Sequence, residues 1–307
     1  METYAQNAPD YLKIPIFDYY EDGAYRAVHP DVLFHKNKYW MVFTPGLFSP
    51  QENPTIVVSN DGQNWDSPLK DGTTLTLDSP DDGGHNSDPD MIIGNDGLFY
   101  VFWRWSSSDH RRAKVYVSFS EDGLDWSPKK RVLSSDEEAF ISPAVIVDRD
   151  GSYKMYYVDR GAWRHWLGGI SPELKDKLFN LRFRTAEHPE GPWSEPTICE
   201  VDLKPGQHIW HLDVIRAWGK YYAFVVFQRK LHLITSQDGN TWEIQSKPVL
   251  VAGKEDAWDN DFIYRASALP RKENGFDLWY SAFCRDKKRK HNSPMPASHI
   301  GYTKFNL

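Results

Sequence analysis

Four stretches of this chain run an apolar strand into nearly the same turn, made of Ser or Thr, an acidic residue, Gly and Trp. They read TIVVSNDGQNW (55–65), VYVSFSEDGLDW (115–126), LRFRTAEHPEGPW (181–193) and LHLITSQDGNTW (231–242). A recurrence every roughly 50–65 residues marks a repeated supersecondary unit, and a repeat takes precedence over any element-by-element reading. Inside each copy the physics is that of a hairpin. Alternating apolar residues make a half-buried strand, Asp-Gly makes the tight turn, and Trp anchors the returning strand.

Each copy is preceded by a second shared half. The openings are HPDVLFHKNKYWMVF (29–43), DPDMIIGNDGLFYVF (88–102), SPAVIVDRDGSYKMYYV (142–158) and HLDVIRAWGKYYAFVVF (211–227). A fifth, RASALPRKENGFDLWYSAF (265–283), leads to HIGYTKFNL (299–307) without the Asp-Gly-Trp ending. Five units of about four strands each predict an all-β fold, a five-bladed β-propeller. The blades fall at approximately 27–75, 85–135, 140–202, 208–252 and 260–307, within one domain covering 1–307. The fifth unit is one strand short, and an unclosed ring leaves an exposed edge. Residues 11–18 are therefore expected to close the last blade as an N-terminal strand. A two-sheet sandwich is the competing architecture, and the repeat period disfavours it.

Composition narrows the partners. A net charge of −7 argues against nucleic acid or an anionic membrane as the main partner. No stretch of about 18 apolar residues is present to span a bilayer. The start, METYAQNAPDYLK, lacks the basic and apolar regions of a secretory signal, so a cytoplasmic or virion-associated setting is expected. Cys199 and Cys284 are too few and too far apart for a disulfide framework or a metal knuckle.

Candidate chemistry sits where the repeats disagree. In a propeller the first strand of each blade lines the axis, so unlike residues at its entry converge on one mouth. The first position of the five openings carries His29, Asp88, Ser142, His211 and Arg265; the third carries Asp31, Asp90, Ala144, Asp213 and Ser267. Strand alternation with period two predicts that both sets point the same way. One or two polar residues would suffice to tie neighbouring blades together. Seven ionisable groups exceed that need, because packed carboxylates raise one another's pKa. A functional site is the favoured reading.

Asp31, Asp90 and Asp213, from three blades, can supply an acid and base pair, with Asp31 as base, Asp90 or Asp213 as acid, and Asp88 as pKa modulator. His29 and His211 can orient a carboxylate, bind sugar hydroxyls or donate a proton. Arg265 can clamp an acidic sugar, and an interblade ion pair is its structural alternative. His85, on a Gly-rich rim loop, is a candidate sugar contact. Trp65, Trp126, Trp193 and Trp242 recur at one place in the repeat and read as core. Trp105, Trp163 and Trp210 lie outside it and are candidates for a binding cleft. The segment 161–180, with a short helix expected from Pro172, would wall one side of the site. No organic cofactor is required. A single metal ion on the propeller axis is open, and the identity of its ligands is left unassigned.

At these residues the chain resembles the five-bladed glycosidases typified by glycoside hydrolase family 43. The resemblance rests on Asp88-Pro89-Asp90 opening a blade, on the Ser-x-Asp-Gly-x-x-Trp hairpins and on Glu190-Gly191-Pro192-Trp193. It implies an inverting hydrolysis with an Asp base, a second Asp that tunes pKa and a Glu acid. Here His29-Pro30-Asp31 and Ser142-Pro143-Ala144 open blades where the family has a leading Asp, and Trp210-His211-Leu212-Asp213 stands in place of its Glu acid motif. The expected function is a glycoside hydrolase acting on a poly- or oligosaccharide. The alternative is a non-catalytic carbohydrate-binding propeller, a surface or virion-associated recognition module. Either way the partner is a carbohydrate.

Overall fold

A computed structural model describes residues 5–12, 14, 26–46, 52–79, 83–160, 180–204, 207–272, 274–285 and 297–307. These residues form five sheets and, among them, no helix. The first sheet holds β1 (Ala27–His35), β2 (Lys38–Pro45), β3 (Thr55–Ser59) and β4 (Trp65–Asp66), with β5 (Leu75–Thr76) also on β3. The second holds β6 (His85–Ile93), β7 (Phe99–Ser106), β8 (Ala113–Ser120) and β9 (Lys130–Ser135). The third holds β10 (Ile141–Val147), β11 (Tyr153–Asp159), β12 (Asn180–Ala186) and β13 (Thr197–Ile198). In the fourth, β14 (Glu200–Val201) runs parallel to β18 (Thr241–Ile244), beyond β15 (His211–Ala217), β16 (Lys220–Phe227) and β17 (Lys230–Ser236). The fifth holds β19 (Phe262–Arg271), β20 (Gly275–Cys284) and β21 (Ala297–Asn306).

The first strands β1, β6, β10, β15 and β19 neighbour one another in a closed ring, which is the five-bladed propeller the repeats predicted. Residues 200–201 depart from the expected division, because they leave the third unit and edge the fourth blade.

Each blade is apolar on both faces, so the core lies between blades as a series of layers. Met41, Phe43, Val57 and Trp65 of the first blade pack with Trp279 and Ile300 of the fifth. Leu33, Trp40 and Val42 pack with Met91, Val101 and Trp103 of the second. The third and fourth blades share Tyr156, Val158, Leu212, Val225 and Trp242. Burying such side chains is worth about 1.5–3 kcal/mol each, and here a side chain of one blade is buried only because its neighbour is present. Closure of the ring is thus a matter of hydrophobic burial as well as of strand edges.

The chain's start meets its end at that closure. The Leu12 amide donates to Ile300 O at 2.7 Å, and Arg26 forms a parallel bridge with Ser298. The Ala5 amide donates to Val249 O at 2.7 Å, which carries the segment across to the fourth blade. Among the described residues the fifth sheet has three strands. Residues 13 and 15–18 of the expected closing strand lie outside the described residues, as does the helix expected from Pro172.

The Asp-Gly-Trp hairpins explain why the repeat phrase recurs. In the first, Ser59 Oγ and the Gln63 and Asn64 amides donate to Asp61 Oδ1, at 3.0, 2.8 and 2.8 Å. Trp65 Nε1 donates to Gly62 O at 3.1 Å. The bonds to the acid recur around Asp122 and Asp238, and Trp126 repeats the indole bond to Gly123 O at 3.0 Å. The amide donors hold the Asp238 carboxyl down at about 2. Each turn also docks on the preceding blade. Trp279 Nε1 donates to Gly62 O at 2.7 Å, and Tyr156 Oη donates to Gly239 O at 2.8 Å.

Gly123 shows why the turn needs glycine. Its φ is 82°, and a Cβ there would lie 2.6 Å from the Trp40 ring. Gly123→Ala is therefore expected to destabilise the fold by about 2–5 kcal/mol, summing left-handed strain and overpacking. Urea unfolding at unchanged m-value would measure it.

Candidate active site

The ten opening residues form two clusters and not one mouth. His29, Asp88 and Ser142 adopt φ of 55°, 53° and 51°, in the left-handed region. At the same places the first strands slip register, between Val28 and Asp31, Ser87 and Asp90, and Ile141 and Ala144. A bulge of this kind inserts extra residues and breaks the two-residue alternation. In these three blades that is why the expectation of a shared direction for both positions does not hold, whereas β15 keeps its register from His211 to Asp213.

The third-position residues are joined into interblade ties. The Met91 amide donates to Asp31 Oδ2 at 2.7 Å, the Val145 amide to Asp90 Oδ2 at 2.9 Å, and the Ala268 amide to Asp213 Oδ2 at 3.0 Å. Ser267 takes the same part in the fifth blade, accepting from the Val32 amide at 2.9 Å and donating to Asp31 Oδ1 at 3.0 Å. Each carboxylate thus fastens the next blade, and only Ala144 makes no such tie.

Burial raises all three carboxyls. Asp213 is pushed up to about 7 by burial and then by the charge of Asp31, against the pull of Arg265. Asp90 lies well above the usual range for the same reasons, with both Asp31 and Asp213 adding to burial. The three line a cavity of about 250 Å³ with the apolar residues that follow them in each first strand. This geometry favours a structural part for Asp31, Asp90 and Asp213 over the acid and base pair expected from sequence.

Three of the first-position residues, His29, Asp88 and His211, line a different cavity, of about 60 Å³. Glu52, Arg104 and Tyr264 line it with them. Asp88 is at its centre. Oδ1 lies 3.3 Å from His29 Nε2 and 3.1 Å from His211 Nδ1, and accepts from Ser142 Oγ at 3.3 Å. Oδ2 accepts from Arg104 Nε at 3.0 Å and from Ser87 Oγ at 3.2 Å. Burial by itself would raise this carboxyl, but the protons that His29 and His211 take up in acid, together with the charge of Arg104, outweigh it and hold the pKa well below the usual range. Asp88 is therefore a permanent anion.

The imidazoles are held neutral and oriented. Burial lowers both pKa values, His29 well below its usual value, against the opposing pull of Asp88. His29 Nδ1 is 2.7 Å from Thr44 Oγ1, whose own hydrogen goes to Val28 O at 3.4 Å. With the proton on Nδ1, shared with Thr44 Oγ1, the Nε2 lone pair of His29 faces Asp88. His211 Nδ1 is 2.7 Å from Ser142 Oγ. Nε2 of both rings is buried without a hydrogen-bond partner.

One ring nitrogen from each His and one Asp88 oxygen lie within 4.8 Å of one another. Two neutral imidazoles and one carboxylate, with a hydroxyl behind each ring, are the donor set of a three-ligand divalent metal site. The residues present fit such an ion.

Other expected site residues are dispersed. His85 and Trp210 line the cavity, the Trp210 ring 5.6 Å from the His211 ring. Trp105 is buried on the second blade beneath Lys114, whose Nζ is 4.1 Å from its ring. Trp163 lies outside the described residues. Arg265 has no exposed surface and does not line the small cavity, so a clamp on a substrate is not its geometry. Glu138 pairs with Arg182 and Arg184, at 3.0 and 2.5 Å, and serves the third blade.

Sequence reasoning passed over Glu52, Arg104 and Tyr264. Tyr264 carried a readable signal, since it sits one residue before the first position of its blade. The register of β19 slips between Ile263 and Arg265, and the extra residue is Tyr264, turned into the cavity. Its ring lies 4.4 Å from His211 and 5.2 Å from His29. Its oxygen accepts from the Trp210 indole, and burial raises its pKa, so the hydroxyl keeps its proton. Glu52 comes from the connection between β2 and β3 and Arg104 from the far end of β7, where no repeat comparison points.

No protein-family profile matches the chain. Its sequence is 28% identical over 347 aligned residues to an A type blood N-acetyl-alpha-D-galactosamine deacetylase of Flavonifractor plautii, covering 94% of this chain and 44% of that protein. The chain thus spans less than half the length of this curated relative. In structure it is similar to a xylan beta-1,4-xylosidase from Bacillus halodurans C-125, with a TM-score of 0.66 and 16% identity over 94% of this chain and 53% of that one. It is equally similar to a thermostable family-43 glycoside hydrolase, with a TM-score of 0.66 and 15% identity over 93% and 91% of the two chains. What these structures share with this chain is the fold, the five-bladed propeller of the family-43 glycoside hydrolases.

Proposed function

We propose that this chain is a carbohydrate-directed hydrolase that removes the acetyl group from an N-acetylated amino sugar at the His29–Asp88–His211 site. The observation that carries the reading is the convergence of two neutral imidazoles, their Nε2 atoms unpartnered, on one permanently ionised carboxylate in a small cavity. The name of the Flavonifractor plautii relative supports the same bond as the target.

His29, Asp88 and His211 would hold a divalent ion, which when bound supplies positive charge to the acyl oxygen. The remaining chemistry falls to side chains of this chain. Glu52, buried on the cavity wall, takes a proton from the attacking water as its oxygen bonds to the acyl carbon. The Tyr264 hydroxyl donates a hydrogen bond to the oxygen that gains charge. The carbon–nitrogen bond then breaks, the proton passes to nitrogen, and free amine and acetate leave. Trp210 and His85 offer the rim on which a sugar ring can rest.

Glycoside hydrolysis is the second reading, favoured by a specific observation: Glu52 and Asp88 are two carboxylates lining one cavity. One panel of N-acetylated and neutral glycans separates the two readings, scored for acetate and for new reducing ends. Acetate without reducing ends, abolished by a chelator and restored by added Zn²⁺ or Mn²⁺, is the expected result. Reducing ends without acetate would establish the glycosidase instead. Glycan binding with neither product would leave the recognition module.

A further inference from the structure

We infer that Arg265 is a positioning residue for Asp88, acting from the opposite side of the propeller axis through the peptide that follows it. Arg265 enters from β19 and is fully buried. Its Nη1 donates to the carbonyl of Pro89 at 2.9 Å. Pro89 has no N–H, and the ladder between β6 and β7 skips from Ser87 to Asp90. The strained backbone of Asp88, at φ 53°, therefore rests on a carbonyl whose named partner is a side chain from another blade. Buried carbonyls need such partners, and Arg265 supplies this one.

The same guanidinium has a competing explanation. Its Nη2 is 3.9 Å from Asp90 Oδ1, and its charge opposes the crowding of Asp31, Asp90 and Asp213. A counter-charge alone would stabilise the fold without placing Asp88. The hydrogen bond to Pro89 is what distinguishes positioning from neutralisation. Releasing it lets the Asp88 backbone relax toward the extended region, which carries its carboxylate away from His29 and His211.

The test is the double variant Arg265→Met with Asp90→Asn, which removes the donor and one of the three crowded carboxyls that its charge opposes. Crystal structures of it and of the unaltered protein are compared at Asp88, and Zn²⁺ affinity is measured for both by calorimetry. Ser267→Ala, which loosens an interblade tie elsewhere on the ring, is the control for lost stability. The expected result is a displaced Asp88 carboxylate and Zn²⁺ binding weakened about 10–100-fold. In Ser267→Ala, Asp88 stays in place and the affinity is retained. An unmoved Asp88 with undiminished affinity in the double variant would overturn the inference. So would equal losses of affinity in the double variant and in Ser267→Ala. The affinity readout rests on the metal-site reading, whereas the position of Asp88 does not. If the unaltered protein binds no Zn²⁺, that reading fails while the crystal structures still decide the part of Arg265.

Discussion

On the proposed deacetylation, Asp88→Asn is expected to lower acetate release by roughly a thousand-fold with the metal added, and to leave a folded but less stable chain. The substitution keeps shape and removes charge. The Asp88 carboxylate lies within 3.3 Å of both histidines and is the partner of buried Arg104, at 3.0 Å. Losing one member of a buried pair costs about 3–5 kcal/mol, because the other charge is left without compensation. Losing a charged group that acts at the reacting centre costs several kcal/mol more in the barrier. Both effects are measurable on one sample, by product assay and by urea unfolding. The pH dependence follows from the sign of the shift. The Asp88 pKa is lowered in the folded chain, so its contribution is fully present above the unfolded value near 3.8. It fades only as pH falls through the folded value. The variant should lose stability by the same amount at pH 6 and pH 8, and the gap should close only in acid. A variant with near-normal acetate release would remove Asp88 from the chemistry.

Asp213→Asn is expected to act oppositely and to stabilise the protein at pH 8. Burial and Asp31 raise Asp213 from 3.8 to about 7, so the folded chain binds this proton more tightly than the unfolded chain does. Its contribution is therefore complete below pH 4 and lost as pH rises to about 7. At about 1.36 kcal/mol per pH unit the window corresponds to about 4 kcal/mol, shared among the three carboxylates that titrate together. The lowered histidines His29, His85, His211 and His232 work against it between pH 4 and 6.5, since their unfolded forms take up protons there. A difference curve between the variant and the unaltered protein cancels those histidines. It should rise from pH 4 to pH 7 and stay flat beyond, in thermal unfolding across buffers. The asparagine can still accept from the Ala268 amide, so the tie itself persists. A flat difference curve would mean that Asp213 is ionised in the fold.

The fold was legible because its repeat is written twice in each unit, in an opening strand and in a turn with its own hydrogen-bond chemistry. Ser59, Asp61, Gly62 and Trp65 make bonds that depend on these residue types, so the pattern survives in sequence. The site was half legible. His29, Asp88 and His211 stood out as unlike residues at one repeat position, and the structure brings them together. What alternation could not predict was the bulge beside Asp88, which separates it from Asp90 although a single proline lies between. The ties made by Asp31, Asp90 and Asp213 use backbone amides, which leave no mark in side-chain identity. Tyr264 was hidden for the same reason as Asp88: a bulge moves a side chain without changing any residue name.

The left-handed backbone at His29, Asp88 and Ser142 bears on how such a chain can change over time. An L-residue in that region gives up about 1–2 kcal/mol that glycine would recover. Three of the five blades place one at the same step of the repeat. A chain selected only to remain folded could recover that strain with glycine at these entries once the buried partners, Arg104 above all, had been replaced as well. Imidazole, carboxylate and hydroxyl at these positions therefore work as a record of selection, readable in a single molecule. Duplicated blades that have lost their chemistry should be recognisable by relaxed, glycine-bearing entries beside interblade ties that remain intact.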